Sequence, residues 1–146
     1  MAEGVWSAAS EIAAGVGAGA LSAEAVASAT LSRIAEADGT LNAFTAVTAE
    51  RAIAEARAVD AAIAEGRTPG PLAGVPFAVK NLFDVKDLPT LAGAKINRDR
   101  PPATRDAVLV ERLNKAGAVL VGALNMGEYA YDFTGENAHD GFCLNP

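Results

Sequence analysis

The segment Gly74-Val75-Pro76-Phe77-Ala78-Val79-Lys80-Asn81 decides how the chain is read, because five mostly apolar residues lead straight into one amine. The pattern reads as a short buried strand over residues 75–79 that delivers Lys80 to its carboxyl end. Pro76 is compatible with it, since a proline near the start of a strand removes only one ladder donor. The carboxyl ends of strands are where α/β enzymes place their sites. A lysine amine held in a dry setting loses the hydration that stabilises its ammonium form and becomes available as a base near neutral pH. The same segment also fits a lysine that snorkels to solvent at a strand terminus.

Downstream, the proline-bearing stretch from about Asp87 to Thr104 reads as a loop long enough to be functional. Asp106 can cap a helix running to Ala116, with Leu109, Leu113 and Ala116 facing inward and Gly117 ending it. Residues 118–122 form a second buried strand. Strand, helix, strand at this spacing predicts a right-handed parallel crossover. Lys80 and the residues after Gly122 then emerge on one sheet edge, with residues 125–133 beside the amine.

Upstream, the chain is alanine-rich and helical. Ser22 can cap a helix with Val26, Ala29 and Ile34 inward, stopping near Asp38-Gly39. Thr48 can cap a second, with Ala52, Ala56, Val59 and Ile63 on one face and Gly66 as terminator. These narrow stripes of small residues suit close helix packing rather than a cofactor pocket. The turn-rich Gly66-Arg67-Thr68-Pro69-Gly70-Pro71 separates the halves. The organisation expected is a helical region over residues 1–70, then a strand-loop-helix-strand region over residues 71–146.

Composition bounds the function. At 146 residues, 51% hydrophobic and 21% charged, the chain has the makeup of one globular domain. A net charge of −6 argues against an electrostatic grip on nucleic acid or anionic lipid. The Gly/Ala-rich run from Ile12 to Leu21 is short and preceded by Glu3 and Glu11, which suits neither a signal peptide nor a membrane span. The single cysteine excludes an internal disulfide and fits a reducing cytoplasm. One histidine, with no paired His/Cys/Asp spacing, offers no zinc site, so no metal or other cofactor is expected.

The motifs from Pro71 onward, taken in order, resemble the amidase signature family. They comprise Pro71-Leu72-Ala73-Gly74-Val75-Pro76-Phe77-Ala78-Val79-Lys80-Asn81, Asp84-Val85, Leu88-Pro89-Thr90, Ala92-Gly93 and Asp106-Ala107. They continue with Leu113, Ala116 to Gly122, Asn125-Met126, Glu128-Tyr129-Ala130, Thr134-Gly135-Glu136-Asn137 and Asn145-Pro146. The wording from Tyr129 to Asn137 looks most like the 1-carboxybiuret hydrolase type; the rival type is the A subunit of the glutamyl-tRNA amidotransferase.

The resemblance implies an α/β fold, alanine-rich helices followed by a parallel unit of a mixed sheet, and an amidohydrolase of small amide or urea-like compounds. It implies a serine, cis-serine and lysine triad in which Lys80 is the base. The lysine accepts a proton from the bridging serine, which takes one from the nucleophilic serine as that oxygen attacks the amide carbon. Backbone N–H groups stabilise the oxyanion, and water clears the acyl-enzyme. All the serines here (Ser7, Ser10, Ser22, Ser28 and Ser32) precede Lys80. In the family the serine loop follows the position of Asn145-Pro146. The expectation is therefore a truncated piece, one incomplete domain, inactive alone, whose full-length form pairs with itself or with a small accessory subunit. The alternative is a transamidase component or a non-catalytic interaction fragment.

Tyr131 matches the position where family members present a side chain to the acyl portion of the substrate, and packing is its other reading. His139 and Cys143 sit four apart, but Asp140-Gly141 predicts a turn, leaving Cys143 a small buried hydrophobe and His139 a loop residue. Asp84 and Glu128 are expected to anchor the sheet edge. Lys80 is expected in the interior and free of ion pairs.

Overall fold

The computed structural model describes residues 7–131 and 133–146. In chain order the elements are α1 (Ala9–Gly17), α2 (Ala23–Leu41), β1 (Phe44–Val47), α3 (Ala49–Ala64), β2 (Pro76–Lys80), α4 (Val108–Lys115) and β3 (Val119–Leu124). Two 3-10 turns lie at Lys95–Asn97 and Glu128–Ala130.

The strands form one sheet in the order β1-β3-β2. The central β3 is buried at Val119, Leu120, Val121 and Ala123, the continuous apolar run of a strand covered on both faces. Val119 N–H donates to Val75 O at 2.9 Å and Asn81 N–H to Leu124 O at 3.0 Å. Residue numbers rise together along this pair, so β2 and β3 are parallel and α4 is their crossover. β1 runs antiparallel to β3, with Phe44 opposite Leu124, Ala46 opposite Ala123, Val47 opposite Gly122 and an irregularity between Phe44 and Ala46. The sheet is mixed and the class is α/β, as the sequence implied.

Two compact units share these elements. One holds the described residues up to Ile34, with Thr48–Phe77 and Arg112–Val121; the other holds Ala35–Val47, Ala78–Glu111 and Gly122–Pro146.

In the first unit, α1 starts where the Glu11 carboxylate accepts the Ala8 N–H at 2.9 Å, and its Ile12 and Val16 are buried one turn apart. The α2 cap is a joint one. Ser22 Oγ accepts from Ala25 N–H, while the Asp60 carboxylate from α3 accepts the Ala23 and Glu24 N–H groups at 2.7 and 3.1 Å and the Ser22 hydroxyl at 2.8 Å. A carboxylate there satisfies orphan donors and complements the helix dipole. Ala23, Val26 and Ala27 are buried; Ala29 and Ile34 are half-buried.

Thr48 does not cap α3 with its side chain. Its hydroxyl donates instead to Leu120 O at 2.9 Å and its N–H to Val121 O at 3.0 Å, which binds the start of α3 to β3. The buried face of α3 is Ala52, Ala56, Val59 and Ala62, with Ile63 only half-buried. In the second unit, α2 runs past Asp38-Gly39 to Leu41. Asp38 does not stop the helix; its carboxylate accepts the N–H groups of Ala43 and Phe44 at 2.7 and 3.1 Å and so turns the chain into β1. On α4 the inward residue is Val110, while Leu109 is 52% exposed. Among the described residues no helix is long and apolar enough to cross a membrane.

Candidate active-site edge

Lys80 ends β2 and Leu124 ends β3, so the parallel pair delivers both to one edge of the sheet. Backbone bonds within the second unit carry the connection on: Asn81 O accepts from Ala92 N–H and Ala92 O from Tyr129 N–H, both at 2.7 Å. The segment after β3 is therefore tied to the residue that follows Lys80, as its register predicted.

The side chain of Lys80 is exposed, which corrects the expectation of an interior amine. The reason is topological: β2 is an edge strand in the order β1-β3-β2, and its last residue projects past the paired core. Among the described residues Lys80 makes no side-chain hydrogen bond or ion pair, so neither Asp84 nor Glu128 neutralises it. Asp84 accepts the Thr90 hydroxyl at 2.5 Å and, through its carbonyl, Ala107 N–H at 2.7 Å; it anchors the loop after β2. Glu128 faces His139 Nε2 at 4.0 Å instead of the sheet.

The edge is built by asparagines, which the sequence pattern did not single out. Asn81, Asn97, Asn125 and Asn137 are the buried polar residues among those described. Asn81 Oδ1 accepts Leu91 N–H at 2.9 Å and its amide donates to Thr45 Oγ1 at 2.8 Å. Asn125 donates to Asn42 O and Gly141 O at 3.1 and 3.0 Å and accepts Met126 N–H at 2.7 Å. Asn137 donates to Gly93 O and Met126 O at 2.8 and 2.7 Å while accepting the N–H groups of His139 and Asp140. Each amide uses donor and acceptor ends at once, which fixes loop backbones that no regular ladder reaches. The only hint in the sequence was an asparagine directly after each apolar strand, Val79-Lys80-Asn81 and Ala123-Leu124-Asn125.

Gly93 is required where it stands. Its φ is +67°, and a Cβ would lie 2.8 Å from both Asn137 Nδ2 and Met126 O. Tyr131 is 95% exposed and Phe133 fully so; the Tyr131 backbone N–H donates to Glu128 O at 3.1 Å. Cys143 is exposed, not buried, and no hydrogen bond joins it to His139; its N–H pairs with Gly135 O. Among the described residues no group of three or more His, Cys, Asp or Glu side chains could hold a metal ion.

A model of the Amidase family matches residues 25–146. The chain belongs to the amidase signature family. Family membership explains the shared order of motifs around Lys80, and the relatives grade as the wording after β3 indicated. The chain is 56% identical over 136 residues to AtzE, the 1-carboxybiuret hydrolase component of Pseudomonas sp. (strain ADP), covering 93% of this chain and 30% of that one. It is 48% identical over 136 residues to the corresponding component of the glutamyl-tRNA(Gln) amidotransferase of Anaeromyxobacter sp. (strain K), covering 93% and 27%. Among solved structures, one described as a vestigial protein complex revealing the origins of an s-triazine catabolic enzyme matches with a TM-score of 0.91 at 56% identity, over 93% of this chain and 30% of that one. Native peptide amidase from Stenotrophomonas maltophilia matches with a TM-score of 0.86 at 30% identity, over 99% and 31%. The chain spans about 30% of the length of the curated relatives it matches.

Proposed function

We propose that the protein carrying this chain is an amidohydrolase acting on a small amide or urea-like compound of the carboxybiuret kind, with Lys80 as the proton acceptor. The observation that carries this reading is the unpaired Lys80 at the carboxyl edge of a parallel strand pair, its neighbour Asn81 tied by hydrogen bonds to Leu91, Leu124 and Ala92. A neighbouring carboxylate would hold the ammonium and remove its use as a base; none pairs with Lys80 among the described residues. Base function further requires that the amine be screened from water, so it belongs to a state in which further protein covers the end of β2. Tyr131, whose side chain is free of the core, is the residue we assign to contact with the acyl portion of the substrate.

The substrate class follows from the higher identity to the 1-carboxybiuret hydrolase component than to the amidotransferase component, 56% against 48%. A small accessory subunit is the partner we assign, on the ground that a solved relative is described as a protein complex. The test is ammonia release by the full-length natural protein from 1-carboxybiuret in the absence of tRNA. Steady turnover is the expected result; ammonia release only on addition of tRNA and a second polypeptide would replace hydrolysis by transamidation.

A further inference from the structure

Within the second unit a cavity of about 460 Å³ lies between the turn after β2, the 3-10 turn at Lys95–Asn97 and the loop at residues 100–105, with Tyr129 on its wall. Its volume is that of a small-molecule site, for which about 300–1,000 Å³ is usual. Lys80 does not line it.

Arg100 and Arg105 both line this cavity, and among the described residues neither guanidinium has a hydrogen-bond or ion-pair partner. Asp84, the one carboxylate in the lining, is engaged by the Thr90 hydroxyl at 2.5 Å. The buried Asn97 donates to Tyr129 Oη at 3.2 Å, whereas the return bond from the Tyr129 hydroxyl to Asn97 Oδ1 is long at 3.5 Å. That proton is free to turn to a better acceptor in the cavity. Two lining residues, Ala92 and Tyr129, hold left-handed backbone at φ of 49° and 52° and are bonded to each other, Tyr129 N–H to Ala92 O at 2.7 Å. Such backbone in residues other than glycine is costly, and it gathers at ligand clamps.

We propose that this cavity binds a small organic acid by its carboxylate, clamped by Arg100 and Arg105 with the Tyr129 hydroxyl as a third donor. Planar guanidinium forks match a carboxylate in geometry. Leu82, Pro101 and Pro102 offer an apolar wall to the rest of the molecule, and the nearby Asp84 selects a monoanion over a phosphate dianion.

Calorimetric titration of the full-length natural protein with benzoate tests this, with benzamide and inorganic phosphate titrated in parallel. Saturable benzoate binding is expected, weakened at least tenfold in Arg100→Ala and in Arg105→Ala, several-fold in Tyr129→Phe, and unchanged in Lys80→Ala, with benzamide not bound. Both arginines are exposed, so their variants keep the wild-type melting curve. Absence of saturable benzoate binding overturns the proposal. So does phosphate binding tighter than benzoate, affinity unchanged in both arginine variants, or binding lost in Lys80→Ala.

Discussion

Asn81 and Thr45 are joined side chain to side chain, Asn81 Nδ2 to Thr45 Oγ1 at 2.8 Å, across 36 positions of sequence. Thr45 passes the contact on to Ala123 O at 3.2 Å, and Asn81 Oδ1 holds Leu91 N–H. One amide thereby links β1, β3 and the loop after β2. Replacing Asn81, which is 4% exposed, with Ala strands the Leu91 N–H donor and removes the amide that donates to Thr45 Oγ1. The expected loss is about 1–3 kcal/mol, read from urea unfolding of the full-length protein; a loss under about 0.5 kcal/mol, the level of an ordinary surface change, would remove Asn81 from this role.

The phase of the apolar residues makes a second prediction. Leu120 is fully buried in β3, whereas Leu109 on α4 is 52% exposed. Leu120→Ala should cost about 2–5 kcal/mol, and Leu109→Ala should stay within about 0.5 kcal/mol. Equal costs in a thermal or urea melt would mean that α4 turns its Leu109 face inward.

Glu24 is held below its ordinary carboxylate value, first by its hydrogen bond to Arg57 and then by that residue's charge. The folded value is the lower one, so any stability from the pair is present above the unfolded carboxylate range and lost as pH falls through the folded value. Both groups are exposed, so the effect on stability is small and screened by salt. NMR titration of the Glu24 carboxyl carbon should show its midpoint rising in Arg57→Ala; no movement would mean that the pair at 2.7 Å does not persist in solution.

Much of this was legible because it is local. The run into Lys80, the alanine stripes and the glycine stop at Gly117 reveal β2, β3, α3 and α4 through periodicity and termination alone. The strand β1 was not legible: Phe44-Thr45-Ala46-Val47 is four residues long, and its pairing with β3 is a non-local fact. Asp60 as a cap for α2, and Thr48 as a tie to Leu120, depend on partners 36 to 72 positions away. The asparagine network is hidden for the same reason. An asparagine looks like a turn residue until the backbone groups it satisfies are known. Lys80 was placed correctly on the sheet edge, but its exposure depends on what lies beside an edge strand, which periodicity does not encode.

The 146-residue chain by itself should release no ammonia from small amides, because none of its serines follows Ser32 and Ser22 is engaged as a helix cap by Asp60. Ammonia production above the buffer rate, abolished by Lys80→Ala, would show that the chain carries its own nucleophile.

The most direct measurement is the hydrolysis rate of 1-carboxybiuret by the full-length protein with Lys80 replaced by Ala and, separately, by Arg. If Lys80 accepts the nucleophile's proton, kcat falls by about 10²–10⁴-fold in both variants while KM changes little, because Arg keeps the charge but cannot give up its proton. A kcat within a few-fold of wild type in Lys80→Ala, or full rescue by Arg, would contradict the assignment and leave Lys80 a solvent-facing cation at the end of β2.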